Sequence, residues 1–423
     1  MSKLTRYIQS RVQPLFAAYL FGADEKYHPT DEYCLTAESQ VDSVGKLLTQ
    51  SLLPEAPMSE PKSLSGSISE FRQFLQRELL PSGLLQLDCE LRCAARDNPP
   101  AIVAEFENGR VLHSRGAVID RCNRLVWNMS GINKQSDIPG NPLSRGKLSA
   151  PKKYSGTLAL LTGSSPQNVF HWYMDILPML SLYEASGVKI DRYYVPTKYR
   201  HQRESLERLG IAGDRIVHAT GETHVECENL VTASFEGGKL NRYRVEAARA
   251  LLQTPSDGLE SRTPKRIYVS RRKARVRRVE NEENVFQTLK KFGFQRYCLE
   301  DMSIADQVKL FESATMVIAP HGAGLTNTCF CAPGTVVMEL NTPVRISSLF
   351  LRIANVCGLE YHLHIAKPCK IKHFDPETAL GDSNLLVEES SLEQAVRSIL
   401  NGSRNSLYSC SDLIEGTAMR WAS

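Results

Sequence analysis

The 423-residue sequence contains no Asp-x-Asp pair, so the usual carboxylate clamp for a divalent ion on a nucleotide diphosphate is missing. No window approaches the roughly 18 apolar residues that a spanning helix needs. The N-terminal stretch lacks a signal-type apolar core, because Arg6, Gln9, Ser10, Arg11, Gln13 and Pro14 interrupt it. Charge of one sign is also scarce. Lys+Arg exceed Asp+Glu by 51 − 47 = 4, too little to imply a nucleic-acid binder, so any electrostatic argument must come from local clustering. Internal repeats and low-complexity tracts are absent. The remaining composition, 23% charged and 42% hydrophobic, is that of an ordinary globular chain, long enough for two or three domains with a sizeable core.

The eleven cysteines are odd in number and irregularly spaced, which suits a reducing compartment where Cys acts as a small buried hydrophobe. A soluble, cytoplasmic protein is the expectation. Residues 3–21 can form a basic amphipathic helix that either rests on the inner face of an anionic membrane or packs on its own domain. Cys357, His362, His364, Cys369 and His373 lie close in sequence, but without Cys-x2-Cys or His-x3-His regularity they read as core residues, not a metal site.

Residues 1–150 read as an accessory region, helices followed by β-hairpins. In 101–131 the β-branched runs are broken by Asn108-Gly109 and Cys122-Asn123. Polar, Gly- and Pro-bearing sequence from Gly131 to Lys153 marks a boundary loop. From Gly156 short apolar strands alternate with helices. The first helix, in 166–177, is expected to start with Ser165 as cap and Pro166 at its first position, and to kink or end at Pro178. The alternation restarts after Ser256-Asp257-Gly258, where a later helix carries the capping pattern Ser303-x-x-Asp306. The fold expected is α/β, with Rossmann-like domains at 151–262 and 263–402 facing across a cleft and a tail at 403–423. Such sheets bind ligands beyond the C-terminal ends of their strands, so the loops that follow strands carry the candidates.

Three loops stand out. Pro320-His321-Gly322-Ala323-Gly324-Leu325-Thr326-Asn327 follows a buried strand and opens a helix. Its backbone N–H groups can approach an anion and His321 can donate to a phosphate oxygen, whereas the alternative is a tight turn with a structural His. The glycine spacing is neither the dinucleotide fingerprint nor a Walker loop. The segment 265–278 holds eight Lys/Arg in fourteen residues. Ser270, Arg271 and Arg272 emerge at the end of its strand, where Arg can clamp a pyrophosphate bidentately. Lys273, Arg275, Arg277 and Arg278 read as a solvated loop or a steering field, and a nucleic-acid patch is the third reading. In the helix, His171 and Asp175 are four apart and share a face, which suits a general base; a stabilising acid beside a core His is the alternative. Glu339 ends another strand, placed to accept ribose hydroxyls or to pair with an arginine.

In this order and spacing, GTLALLTGSSPQNVFHWYMDILPML, KRIYVSRR, VIAPHGAGLTN and GTVVMEL resemble glycosyltransferase family 61, from about Arg110 to Ala366. That family includes bacterial capsular-polysaccharide-type enzymes, plant xylosyl- and arabinosyltransferases, and animal O-linked N-acetylglucosaminyltransferases. The resemblance implies an inverting, metal-independent transferase of two-Rossmann (B-type) architecture. It implies a nucleotide-sugar donor, a glycan or lipid-linked glycan acceptor, and no further cofactor. Asp175 or His171 would be the base. Ser270, Arg271, His321 and the loop from Gly322, Ala323, Gly324 to Leu325 and Thr326 would hold the diphosphate, with Glu339 on the ribose. The missing signal anchor favours the bacterial kind, in surface polysaccharide synthesis. The competing reading from another class is a catalytically silent nucleotide- or sugar-binding module.

Overall fold

The computed structural model describes residues 25–33, 46–50, 101–144, 147–235, 240–253, 265–342, 345, 347–375 and 380–401. The expected N-terminal helices, the amphipathic segment 3–21 and the tail 403–423 lie outside them. The described residues form two units, one from residues up to 235 and one from 240 onward. The fold is mixed α/β.

The first unit is built on a ten-stranded mixed sheet. Its strands are β1 (Glu32–Tyr33), β2 (Lys46–Gln50), β3 (Ala101–Glu107), β4 (Arg110–Leu112), β5 (Ala117–Ile119), β6 (Leu125–Val126), β7 (Lys152–Leu160), β8 (Arg192–Val195), β9 (Ile216–His218) and β10 (His224–Phe235). β10, β7, β8 and β9 run parallel in that order, while β3 and β4 pair antiparallel with β10. The boundary expected at 150 therefore runs through one sheet, because strands from either side of it share β10. Asn108-Gly109 is not a hairpin turn. Asn108 adopts φ 51° and its N–H donates to the Glu228 carbonyl, so the ladder to β10 continues through the step. The loops at the far end interlock tightly: a Cβ on Gly131 would lie 2.5 Å from the Gly163 carbonyl carbon, which leaves room for glycine alone. The core gathers Ile102, Ala104, Phe106, Val118, Leu158, Leu160, Tyr194 and Val217 from both halves of the sheet.

Helices of this unit are α1 (Val169–His171), α2 (Pro178–Ser186) and α3 (Arg200–Arg208), with a π-helical turn, Trp172–Ile176, between the first two. The N-cap of α1 is Asn168, not Ser165: its Oδ1 accepts the Phe170 N–H at 2.9 Å, while Ser165 closes a turn onto the Asn168 N–H. Pro178 cannot donate, and the Leu177 N–H reaches back five residues to the Trp172 carbonyl, widening the turn before α2 restarts.

The second unit holds an all-parallel sheet of β11 (Lys265–Val269), β12 (Phe294–Tyr297), β13 (Ala314–Pro320), β14 (Val336–Asn341) and β15 (Glu360–Ile365) in the spatial order β12-β11-β13-β14-β15. Strands covered on both faces should be continuously apolar, and five of the seven residues of β13 are buried hydrophobics. The helices are α4 (Arg242–Leu252), α5 (Glu282–Lys290), α6 (Ile304–Glu312), α7 (Leu349–Cys357) and α8 (Glu389–Leu400). The Ser303 cap forms as its spacing predicts, accepting the Asp306 N–H at 3.1 Å and donating to its carboxylate at 2.6 Å. Against one face of the sheet, Met316, Ile318, Met338 and Leu340 pack with Leu289, Leu392 and Val396. A hairpin that periodicity did not reveal, β16 (Lys367–Asp375) with β17 (Leu380–Leu386), is pinned beside β11's outgoing loop: the Leu385 N–H donates to the Arg278 carbonyl and the Asn384 Oδ1 accepts the Arg278 N–H.

Candidate functional site

In the second unit, strand order reverses between β11 and β13: β11 connects outward to β12, and the chain then returns to the far side of β11. Ligands of open parallel sheets bind at such a point, beyond the strand ends. The residues that emerge there are Arg271, two positions after β11, and His321-Gly322, directly after β13. They touch. A Cβ on Gly322 would stand 2.5 Å from Arg271 Cζ and closer still to Nη1, so only glycine lets the guanidinium lie on this backbone. Gly322 has φ 157° and ψ 172°, a region that side chains disfavour.

Arg271 is held but not neutralised. Its Nη2 donates to the Val276 carbonyl at 3.3 Å, its Nε is buried without a partner, and burial together with repulsion by Arg277 pulls its pKa down to about 10. Arg277, expected in a solvated loop, turns inward instead with its side chain 21% exposed. Its Nε stands 3.4 Å from Asp382 Oδ1, and Arg345 Nη1 stands 3.8 Å from the same oxygen. Burial and Arg345 lower the Arg277 pKa, against the pull of Asp382 and Glu339. Three guanidiniums thus converge with one carboxylate between two of them, and neither Arg277 Nε nor Asp382 Oδ1 completes a hydrogen bond. The surplus of positive charge in a partly desolvated pocket is chemistry for a polyanion. The other basic residues of the loop, Arg272, Lys273, Arg275 and Arg278, are exposed, and Lys273 pairs with Asp301.

Other expected contacts change role. Ser270 is buried and its Oγ donates to Glu282 at 2.9 Å, so it braces the strand end without facing a ligand. Leu325 and Thr326 are fully buried, and the Leu325 N–H is already taken by the Gly322 carbonyl. The loop's accessible part is Ala323-Gly324, at the start of the 3-10 helix Ala323–Phe330, where the first N–H groups of a helix lack intrahelical acceptors. Glu339 does not stand at the mouth for a ribose: its side chain is 0% exposed and accepts from His321, Asn341 and Tyr361. Among the described residues no three His, Cys, Asp or Glu side chains are grouped as metal ligands.

In the first unit, His171 and Asp175 follow the C-terminal end of β7. The π turn buries Trp172, Tyr173, Met174 and Ile176, yet leaves His171 and Asp175 37% and 33% exposed. His171 Nδ1 lies 2.6 Å from Asp175 Oδ2. A carboxylate that accepts from Nδ1–H leaves Nε2 as the basic nitrogen, the arrangement of a base and its orienting acid.

Residues 169–338 match the family model described as Glycosyltransferase 61, a span that contains His171, Asp175, Arg271 and the His321-Gly322 loop. Over this span the chain is similar to glycosyltransferase 61. A beta-1,2-xylosyltransferase of Arabidopsis thaliana is 39% identical over 69 residues, 16% of this chain and 13% of that protein. One of Oryza sativa subsp. japonica is 28% identical over 93 residues, 20% of this chain and 17% of that protein. The chain thus spans less than a fifth of the length of these curated relatives in the matched regions.

The site residues that sequence reasoning missed are Arg277, Arg345 and Asp382. Arg345 was reachable, since it follows β14 on the same edge of the sheet. Arg277 turns inward from a backbone at φ 60°, and Asp382 arrives on a hairpin remote in sequence, neither of which has a local signal.

Proposed function

We propose that the protein is an inverting glycosyltransferase that moves a sugar from a nucleotide-sugar donor to a hydroxyl of a glycan acceptor without a divalent ion. The observation that carries the reading is the buried, unpartnered Arg271 Nε at the strand-order switch, against Gly322 and beside Arg277. A diphosphate leaving group needs its developing charge met. Arg271, Arg277 and the N–H groups of Ala323 and Gly324 supply that charge without an acidic metal clamp. Asp175, or His171 oriented by it, takes the proton of the acceptor hydroxyl. The acceptor oxygen then bonds to the anomeric carbon as the bond to the diphosphate oxygen breaks on the opposite face. The names of the xylosyltransferase relatives make a pentosyl donor the first to try.

Calorimetry and thermal shift against UDP-, GDP-, CMP- and dTDP-sugars, each with and without EDTA, test this. The expected result is donor binding and transfer that survive EDTA and are lost in Arg271→Ala. A panel that neither binds nor turns over defeats the proposal, and binding without transfer to any glycan hydroxyl would make the protein a silent binding module.

A further inference from the structure

Behind the anion loop, three neighbouring strands contribute to one buried polar cluster. His321, at the end of β13, places Nδ1 2.6 Å from Glu339 Oε1 on β14. Asn341 Nδ2 donates to the same oxygen at 2.9 Å, and Tyr361 Oη on β15 donates to Oε2 at 2.7 Å. All four residues are buried, and the Phe350 ring of α7 stands edge-on to the imidazole with centroids 5.2 Å apart. A buried carboxylate is tolerated only when its lone pairs are met, and here three donors meet them. An ion-paired cluster of this kind is weak evidence for stability, because apolar residues of the same volume often serve as well. Its position suggests another use: the residue after His321 is Gly322, on which the Arg271 guanidinium lies.

A carboxylate can only accept, so Nδ1 carries a hydrogen and the ring's orientation is locked; a second hydrogen, on Nε2, makes the ring an imidazolium whose charge Glu339 faces. Resting on the function proposed above, we propose that Glu339 is a positioning residue that holds His321 to donate a hydrogen bond from Nε2 to the departing phosphate. In the transfer step the electron pair of the broken bond to the anomeric carbon passes to the diphosphate oxygen. The acceptor proton goes to Asp175 or His171, and Nε2–H shares its hydrogen with the anion as the charge appears. Among the described residues, the charged and titratable groups that face the pair are Tyr361 on β15, which donates to Glu339, Arg277, which couples electrostatically to Glu339, and Arg271, which lies on Gly322 next to His321.

Glu339→Gln keeps the shape and removes the charge, and Tyr361→Phe removes one support. With a nucleotide sugar that the wild type turns over, Glu339→Gln is expected to lower kcat about 10- to 100-fold with donor KM nearly unchanged. The pH profile of kcat should shift as well, because the charge facing Nδ1 is gone. Tyr361→Phe should move both in the same direction by less. Nitrogen-15 NMR of labelled histidines gives a reading free of turnover: UDP should shift the His321 Nε2 signal in the wild type and less in Glu339→Gln. Wild-type kcat and pH profile in Glu339→Gln would overturn the proposal, as would a loss confined to KM or a His321 signal indifferent to bound UDP. If the wild type binds no nucleoside diphosphate at all, the function proposed above falls and takes this inference with it.

Discussion

Gly322→Ala tests the geometry of the proposed donor site with one methyl group. The new Cβ would stand 2.5 Å from Arg271 Cζ, and ordinary contact begins near 3.5 Å, so the guanidinium must retreat by about 1 Å. Arg271 ends a flexible side chain, so it can move without breaking the sheet. Losing one charge-assisted hydrogen bond to phosphate costs about 1.5–3 kcal/mol. At about 1.4 kcal/mol per tenfold, that is roughly a 10- to 150-fold weaker nucleoside diphosphate complex. The backbone at φ 157° and ψ 172° adds about 1–3 kcal/mol of strain for a residue with a Cβ. At about 2–4 °C per kcal/mol, a lower Tm should accompany the weaker binding. Calorimetry with UDP measures the affinity, and calorimetric melting measures the strain. Arg271→Ala should show the affinity loss without the strain, and the double variant should lose little more than Arg271→Ala alone, since both remove the same interaction. Wild-type UDP affinity in Gly322→Ala, or fully additive losses in the double variant, would refute the contact as a binding element.

Two further outcomes follow from the structure. Asp175→Asn should lower the transfer rate about 10²- to 10⁴-fold while UDP still binds, because the proposed base and the proposed diphosphate site draw on different residues; weakened UDP binding would contradict this. Stability should fall as pH drops from about 6.5 toward 4. Burial holds His224 and His364 at about 4, below the ordinary 6.5, so in that window the unfolded chain binds protons that the folded one refuses. Each contributes up to about 3 kcal/mol, fully lost near the lower pKa, and urea titrations from pH 7.5 to 4.5 measure it. Equal stability across that range would mean that these imidazoles are not buried as neutral groups.

Much of the second unit was legible because its elements announce themselves locally. β11, β13 and β14 each carry an uninterrupted apolar stretch, Ile267–Val269, Met316–Ala319 and Val336–Met338, Ser303 caps α6 through its own spacing to Asp306, and the loop after β13 carries its glycines in plain view. The first unit was harder. Asn108-Gly109 has the chemistry of a turn, but a longer partner, β10, bridges it and keeps the strand going. Asn168 outcompetes Ser165 as a cap because the turn before it, set by Pro166, delays the helix by one loop.

The sequence alone determined which residues have the chemistry for the site: a basic cluster after one strand, a glycine loop after another, and a His–Asp pair at helical spacing. Charge, glycine and period are properties of neighbours in the chain. Only the tertiary structure decided what each group faces. It turned Arg277 inward, brought Asp382 from a distant hairpin, sealed Glu339 under His321, Asn341 and Tyr361, and set Arg271 on bare backbone at Gly322. Those outcomes depend on strand order and backbone dihedrals, which place atoms remote in sequence within hydrogen-bonding distance and which no local pattern encodes.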